Sequence, residues 1–157
     1  MPQEAEALFR YRSDPEVMRY IAVGVDKTIE DTRKQLDRYF HHQEKYGFSK
    51  WAVELRETGA LIGDSGLLLL NDGPDFDLGY RFAREYWGKG FATECGRAWV
   101  EAAFSQFGLD RVVALANPKN AASIRVMTEL GMRFERNTVF RGMDCVQYWI
   151  GRETYAG

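Results

Sequence analysis

Residues 76 to 107 constrain the fold more than any other stretch of the chain. Phe76, Leu78, Tyr80 and Phe82 alternate with Asp77, Gly79 and Arg81, the period-two pattern of a strand with one buried face. Phe91, Cys95, Ala98, Trp99, Ala102 and Phe107 then recur at helical spacing, and Gly108 supplies a stop. Between them lies Trp87-Gly88-Lys89-Gly90-Phe91-Ala92-Thr93-Glu94, so the unit reads strand, glycine turn, helix. The first N–H groups of a helix lack internal partners and its dipole adds about half a positive charge, so anions bind at that end. Gly88 and Gly90 keep side chains away from an approaching phosphate, and Lys89 adds a mobile positive charge. A diphosphate suits such a turn. A sharp connection needing glycine only for its dihedrals explains the same residues, because Gly-x-Gly alone is a weak motif.

Two nucleotide-binding patterns fit badly. Gly88-Lys89-Gly90 has one residue between its glycines where a P-loop has four, and no Gly-Lys-Ser/Thr ending follows. The dinucleotide fingerprint wants glycine or alanine at position 93 and, about twenty residues on, an acid ending a second strand. Position 93 is Thr93, and Asp110 precedes a strand instead.

A chain of 157 residues with 45% hydrophobic and 28% charged residues is expected to form one globular domain over residues 1–157. Its net charge of -2 gives no reason to expect nucleic-acid binding by bulk electrostatics. Apolar runs such as Leu67 to Leu70 are far too short to span a bilayer, and Met1-Pro2-Gln3-Glu4 does not open a leader, so a cytoplasmic protein is expected. Cys95 and Cys145 lack metal-ligand spacing and read as small core residues. His41 and His42 point about 100° apart on a helix and are poorly placed to share a metal, so no metal is expected.

Taken in order, residues 3 to 12 read as a helix, and Ser13-Asp14-Pro15 opens a short second helix through Val17, Met18 and Ile21. Thr28-Ile29-Glu30-Asp31 resembles a capping box and starts a longer helix ended by Gly47. Trp51, Val53 and Leu55 form a strand that turns at Glu57-Thr58-Gly59 and returns through Leu61 to Leu70. With the strand from Phe76, this makes a three-stranded meander. Arg111 to Ala116 is a short buried strand, Ala121 to Leu130 a helix, and Met132 to Ile150 a final antiparallel pair turned near Arg141-Gly142.

A second signal lies in Asn120-Ala121-Ala122-Ser123, where Asn120 caps the helix and Ser123 sits three positions on along the same face. A capped helix with a solvated serine accounts for it equally well. Taken jointly, however, the glycine turn, Leu78-Gly79-Tyr80, Asn120-x-x-Ser123, Ser13-Asp14-Pro15 and Asp144-x-x-x-Tyr148 resemble the Gcn5-related N-acetyltransferase (GNAT) superfamily. The likeness is nearest to its RimJ/RimL branch and covers nearly the whole chain. Three departures stand out. Trp87 opens the loop where Gln or Arg is common, and Met127 replaces a tyrosine proposed as general acid. The family's first strand has no counterpart: either the true start lies upstream of residue 1, or the sheet lacks an edge strand and leaves unpaired backbone groups for a partner chain, as in a homodimer, to cover.

The resemblance implies an α+β fold of α/β/α layers around a mixed, mostly antiparallel sheet. It also implies acetyl-CoA as donor, an amine as acceptor, and direct transfer in a ternary complex. Backbone N–H groups from Gly88, Lys89, Gly90, Phe91, Ala92 and Thr93 would hold the diphosphate beside Trp87. Main-chain groups of Tyr80, Arg81 and Phe82 would pair with the pantetheine, and a free N–H near Tyr80 would polarise the acetyl carbonyl. Asn120 would bond the pantetheine arm and Ser123 would reach the sulfur. Freeing a lysine amine at pH 7 costs about 4.6 kcal/mol against about 1 to 1.4 for an α-amine, so a protein N-terminus or small-molecule α-amine is the easier acceptor. The candidates for general base are Glu54 and Asp77, either of which a surface carboxylate would also explain. By strand parity Asp77 faces away from Tyr80. A non-catalytic CoA-binding protein of the same fold, or an interaction module with an empty cleft, remains open on sequence alone.

Overall fold

A computed structural model of the 157-residue chain describes residues 2–21 and 24–155. Its six strands form one mixed sheet in the order β1-β2-β3-β4-β6-β5. The strands are β1 Lys50–Glu54, β2 Leu61–Leu69, β3 Phe76–Phe82, β4 Arg111–Ala116, β5 Arg133–Phe140 and β6 Met143–Gly151. The helices are α1 Pro2–Arg12, α2 Ile29–Tyr46, α3 Phe91–Ser105 and α4 Ala121–Glu129. All neighbouring strands are antiparallel except β3 and β4, which run parallel and register only at Asp77 opposite Val113. β1 forms an edge of the sheet.

Strand parity sorts the side chains into two layers. Leu67, Leu78, Val112, Ala114 and Ile150 face α3 and α4, where they join Trp99, Val100, Ala103 and Met127 in the main core. Asp64, Gly66, Asp77, Gly79 and Arg81 alternate with those residues and face α1. Tyr11 of α1 donates its hydroxyl to Asp64 across this second layer, and α2 packs on α1.

Local chemistry explains most element ends. Thr28 accepts from the Asp31 N–H, and Asp31 accepts from the Thr28 N–H, completing the expected capping box. Arg141 and Gly142 both have positive φ, 50° and 80°, as a two-residue hairpin between β5 and β6 requires. Two expectations need correction. Pro15 to Tyr20 form turns and not a helix: the segment is anchored by Met18, which is 2% exposed, and offers too few periodic apolar positions to sustain one. The buried stripe of α3 is Gly96, Trp99, Val100, Ala103 and Phe104, so Cys95 is half-buried and Ala98 exposed. At Gly96 this face packs closely on the core, a Cβ there lying 2.7 Å from Leu130 Cδ1.

Candidate active site

Parallel neighbours that register at one residue pair and then diverge leave an opening between them, at the end of the sheet where both strands point. A cleft of about 800 Å³ occupies this position. It is lined by Asp77 and Arg81 on one face of the sheet and by Tyr80, Asn120 and Ser123 on the other, so it passes from one layer to the other.

On the α3 side, β3 leads through a short 3-10 turn, Arg84–Tyr86, into the glycine turn. Gly88 and Gly90 have φ of 73° and 83°, so the connection does need glycine for its backbone. Nothing lies within 4 Å of a Cβ built on either, so the space before the helix is open as well. The N-cap of α3 is Gly90, with no side-chain cap, leaving the first N–H groups of the helix directed at the cleft. Trp87, Gly88, Gly90, Phe91, Ala92 and Thr93 line the cleft, whereas Lys89 does not. The Trp87 indole donates to the Phe82 carbonyl at 2.9 Å, which ties the turn to the end of β3 and takes up one main-chain group expected to be free. Thr93 spends its hydroxyl on Glu129.

Asn120 caps α4 by accepting from the Ser123 N–H at 3.2 Å, which leaves its amide NH₂ available. The Ser123 hydroxyl lies 2.9 Å from the Tyr80 phenol, which also reaches the Ser123 carbonyl at 3.0 Å. Burial holds the Tyr80 phenol protonated, with its pKa pushed up to about 12. Tyr80 entered the sequence reading for its backbone, and its side-chain role was missed. Its place three residues beyond Asp77 on β3 was the available clue. Met127, at the position of the absent tyrosine, is 1% exposed and belongs to the core.

The opposite face carries the charged chemistry. Asp77 is half-buried at the wall of the cleft, and its Oδ1 is fully buried with no hydrogen-bond partner among the described residues. Burial raises its pKa to about 7, against the opposing pull of Lys50 and the Leu115 backbone N–H. A Cβ on Gly79 would lie 2.6 Å from Lys50 Nζ, so the lysine crosses the sheet along the same-face positions 66 and 79, which lack side chains. Burial works to raise the pKa of Asp64, but Arg81, Lys50, Arg12 and the Tyr11 hydroxyl outweigh it and hold the carboxylate ionised. Glu54, the other candidate base, is exposed on β1 and lines a separate groove beside Trp51 and Phe40. Glu54 does not line the cleft, although Lys50 at the other end of the same strand does.

His42 contacts the Phe48 carbonyl at 2.8 Å through Nδ1 and accepts from the Leu69 N–H at 2.9 Å through Nε2, which fixes one neutral tautomer in a structural role. No group of three or more His, Cys, Asp or Glu able to hold a metal occurs among the described residues. Among them no helix is long and apolar enough to cross a membrane.

The family described as the acetyltransferase (GNAT) domain matches residues 1–133. YoaA, an uncharacterized N-acetyltransferase of Bacillus subtilis (strain 168), is 34% identical over 141 residues, covering 88% of this chain and 78% of its own. A GNAT-family acetyltransferase from Bacillus anthracis superposes with a TM-score of 0.83 at 30% identity, covering 96% of this chain and 90% of the other. A spermidine N-acetyltransferase from Vibrio cholerae shares the fold at 17% identity, with a TM-score of 0.82 and coverage of 100% and 95%. The chain belongs to the GNAT acetyltransferase family and is an acetyl-CoA-dependent acetyltransferase.

Proposed function

We propose that the protein acetylates the primary amine of a protein N-terminus or of a small molecule, by direct attack within a ternary complex. One observation carries this reading: the cleft passes through the sheet with hydroxyls on one face and, on the other, a carboxylate whose Oδ1 has no partner among the described residues. Donor and acceptor can therefore meet from opposite sides.

The uncapped N–H groups of α3 and the open space before Gly88 and Gly90 fit a diphosphate. The Asn120 amide and the main chain of β3 near Tyr80, beyond its pairing with β4, fit the pantetheine arm. In the transfer the amine nitrogen bonds to the acetyl carbon and the carbon–sulfur bond breaks. The proton lost by the amine passes to Asp77, directly or through one water. The Tyr80 phenol donates to the Ser123 carbonyl and lies beside Ser123 Oγ, which positions the serine so that its hydroxyl turns to donate to the departing sulfur. That sulfur takes its proton from solvent as Asp77 returns its own, giving an amide and a free thiol. A thiol of ordinary pKa about 8.5 leaves as thiolate at pH 7 for about 2 kcal/mol, so a hydrogen bond can stand in for the missing tyrosine acid.

The test is thiol release from acetyl-CoA across a panel of amines, with the acetylated product identified by mass. Turnover that depends on an added amine supports the reading. Tight binding of acetyl-CoA without release of thiol to any amine would favour the non-catalytic alternative, which the burial of Met127 in place of an acid suggests.

A further inference from the structure

The layer that faces α1 holds more cationic groups than its own carboxylates satisfy. Arg12 is 2% exposed and ion-paired to Asp26 at 2.6 Å, yet its Nη1 has no partner among the described residues. Arg81 lies opposite Asp64 on the neighbouring strand, close enough to hold that carboxylate ionised. Its Nε and Nη1 are nevertheless buried and unpartnered, and it makes no ion pair within 4.0 Å among the described residues. Lys50 Nζ reaches over Gly79, between Asp77 and Arg81, and likewise makes no ion pair there. Around these, the cleft is lined by Arg19, Arg38, Lys119, Arg125 and Arg141 against two further carboxylates, Glu16 and Glu129.

Asp26 and Asp64 offset two of the three inner cations. Asp77 balances the third only until it takes the amine proton, whereas the unmade N–H groups of Arg12 and Arg81 and the excess of rim cations persist in either state. The donor cannot supply the balance, because the thioester and pantetheine that enter the opening between β3 and β4 are uncharged. Its phosphates belong at the α3 turn on the other face. A buried guanidinium with unmade hydrogen bonds is costly, and a carboxylate is the group that its planar fork matches best.

We propose that the acceptor is a small amine bearing a carboxylate beside its nitrogen, an amino acid or close analogue, with the amine turned to Asp77 and the carboxylate held by Arg81 and Lys50. This rests on the acetyltransferase reading above and narrows its substrate. Same-face neighbours on a strand are about 7 Å apart, so an α-amino acid with a hydrogen bond at each end spans from Asp77 to position 79, under the Lys50 ammonium, and the Arg81 guanidinium would meet the same carboxylate from one same-face step further on. The same surplus of positive charge disfavours polyamines.

The experiment compares phenylalanine, phenylalanine amide and phenethylamine, and then histidine against histamine, with spermidine as the polycation, by kcat/KM for thiol release. Each free acid is expected to exceed its uncharged-chain counterpart by between about 10- and 100-fold, mainly through KM, as for a charge-assisted hydrogen-bonded pair. Arg81→Met and Lys50→Met are each expected to shrink that ratio toward one. The wild-type ratio needs neither variant to fold. Equal rates for the acid and the amide, or preference for spermidine, would overturn this inference and leave the acetyltransferase reading standing. Release of thiol to no amine at all, with acetyl-CoA bound, would overturn both.

Discussion

Replacing Asp77 by asparagine separates the catalytic account from a merely structural one, because activity and stability should move in opposite directions. Asp77 titrates at about 7, where an ordinary aspartate titrates at 3.8, and burial is the main cause. At 1.36 kcal/mol per pH unit the difference corresponds to about 4 kcal/mol. The sign follows from proton counting. Between pH 4 and 7 the folded protein holds a proton on Asp77 that the unfolded chain has released, so stability falls as pH rises across this window and levels off above it. Asp77→Asn removes the penalty and should stabilise the protein at pH 8 by at most about 4 kcal/mol, since a buried amide keeps part of the desolvation cost. Activity should fall, with kcat/KM dropping about 100- to 10,000-fold for loss of a general base. In the wild type the acid limb of kcat/KM should bend near pH 7, leaving about a tenth of the plateau at pH 6, and the bend should vanish in the variant. Urea denaturation at pH 5 and pH 8 and a pH–rate profile of thiol release measure both. A variant within fivefold of wild-type activity, or one that retains the bend near pH 7, would refute the role of Asp77.

Further predictions follow from single contacts. Lys50 lowers the pKa of Asp77, and Gly79→Ala would push the lysine end aside, so both Lys50→Met and Gly79→Ala should move the acid limb upward from pH 7. An unmoved limb in both would remove Lys50 from the site. Ser123→Ala should cut kcat by up to about 30-fold, the equivalent of about 2 kcal/mol, with little change in acetyl-CoA affinity by calorimetry. Tyr80→Phe should cost up to about tenfold, the worth of one hydrogen bond. Unchanged turnover in both would dismiss the hydroxyl pair. His42 is held neutral by burial, so the unfolded chain takes up a proton first as pH falls below about 6.5 and stability declines with it. Asp77 works in the opposite direction over this range, so the test is the difference between proteins: by chemical denaturation at pH 7.5 and 5.5, the drop in pH should favour His42→Gln more than the wild type.

The donor side of the site was legible in the sequence because its signals are local. Gly88, Gly90, Asn120 and Ser123 act through turns and caps that span a few residues, and the structure brings them to one cleft. The acceptor side depends on strand register, which sequence spacing does not reveal. Lys50 meets Asp77 only because β1, β2 and β3 align Lys50, Gly66 and Gly79 on one face. Glu54 and Asp77 looked equivalent as strand carboxylates, and only sheet order separates an edge residue from one in the opening. Arg81 was singled out for its main chain, whereas the structure gives its guanidinium the more distinctive position. The buried stripe of α3 was misjudged because Gly96 reads as a weak helix former until Leu130 is seen against it.

The account depends above all on two sheet faces meeting between β3 and β4. A crystal structure of the protein with acetyl-CoA bound tests this most directly. The diphosphate should rest against the N–H groups of residues 88 to 93, with the acetyl carbonyl between β3 and β4, near the Ser123 hydroxyl and open to Asp77. A diphosphate seated elsewhere, or a thioester lying outside that opening with β3 and β4 closed behind it, would contradict it.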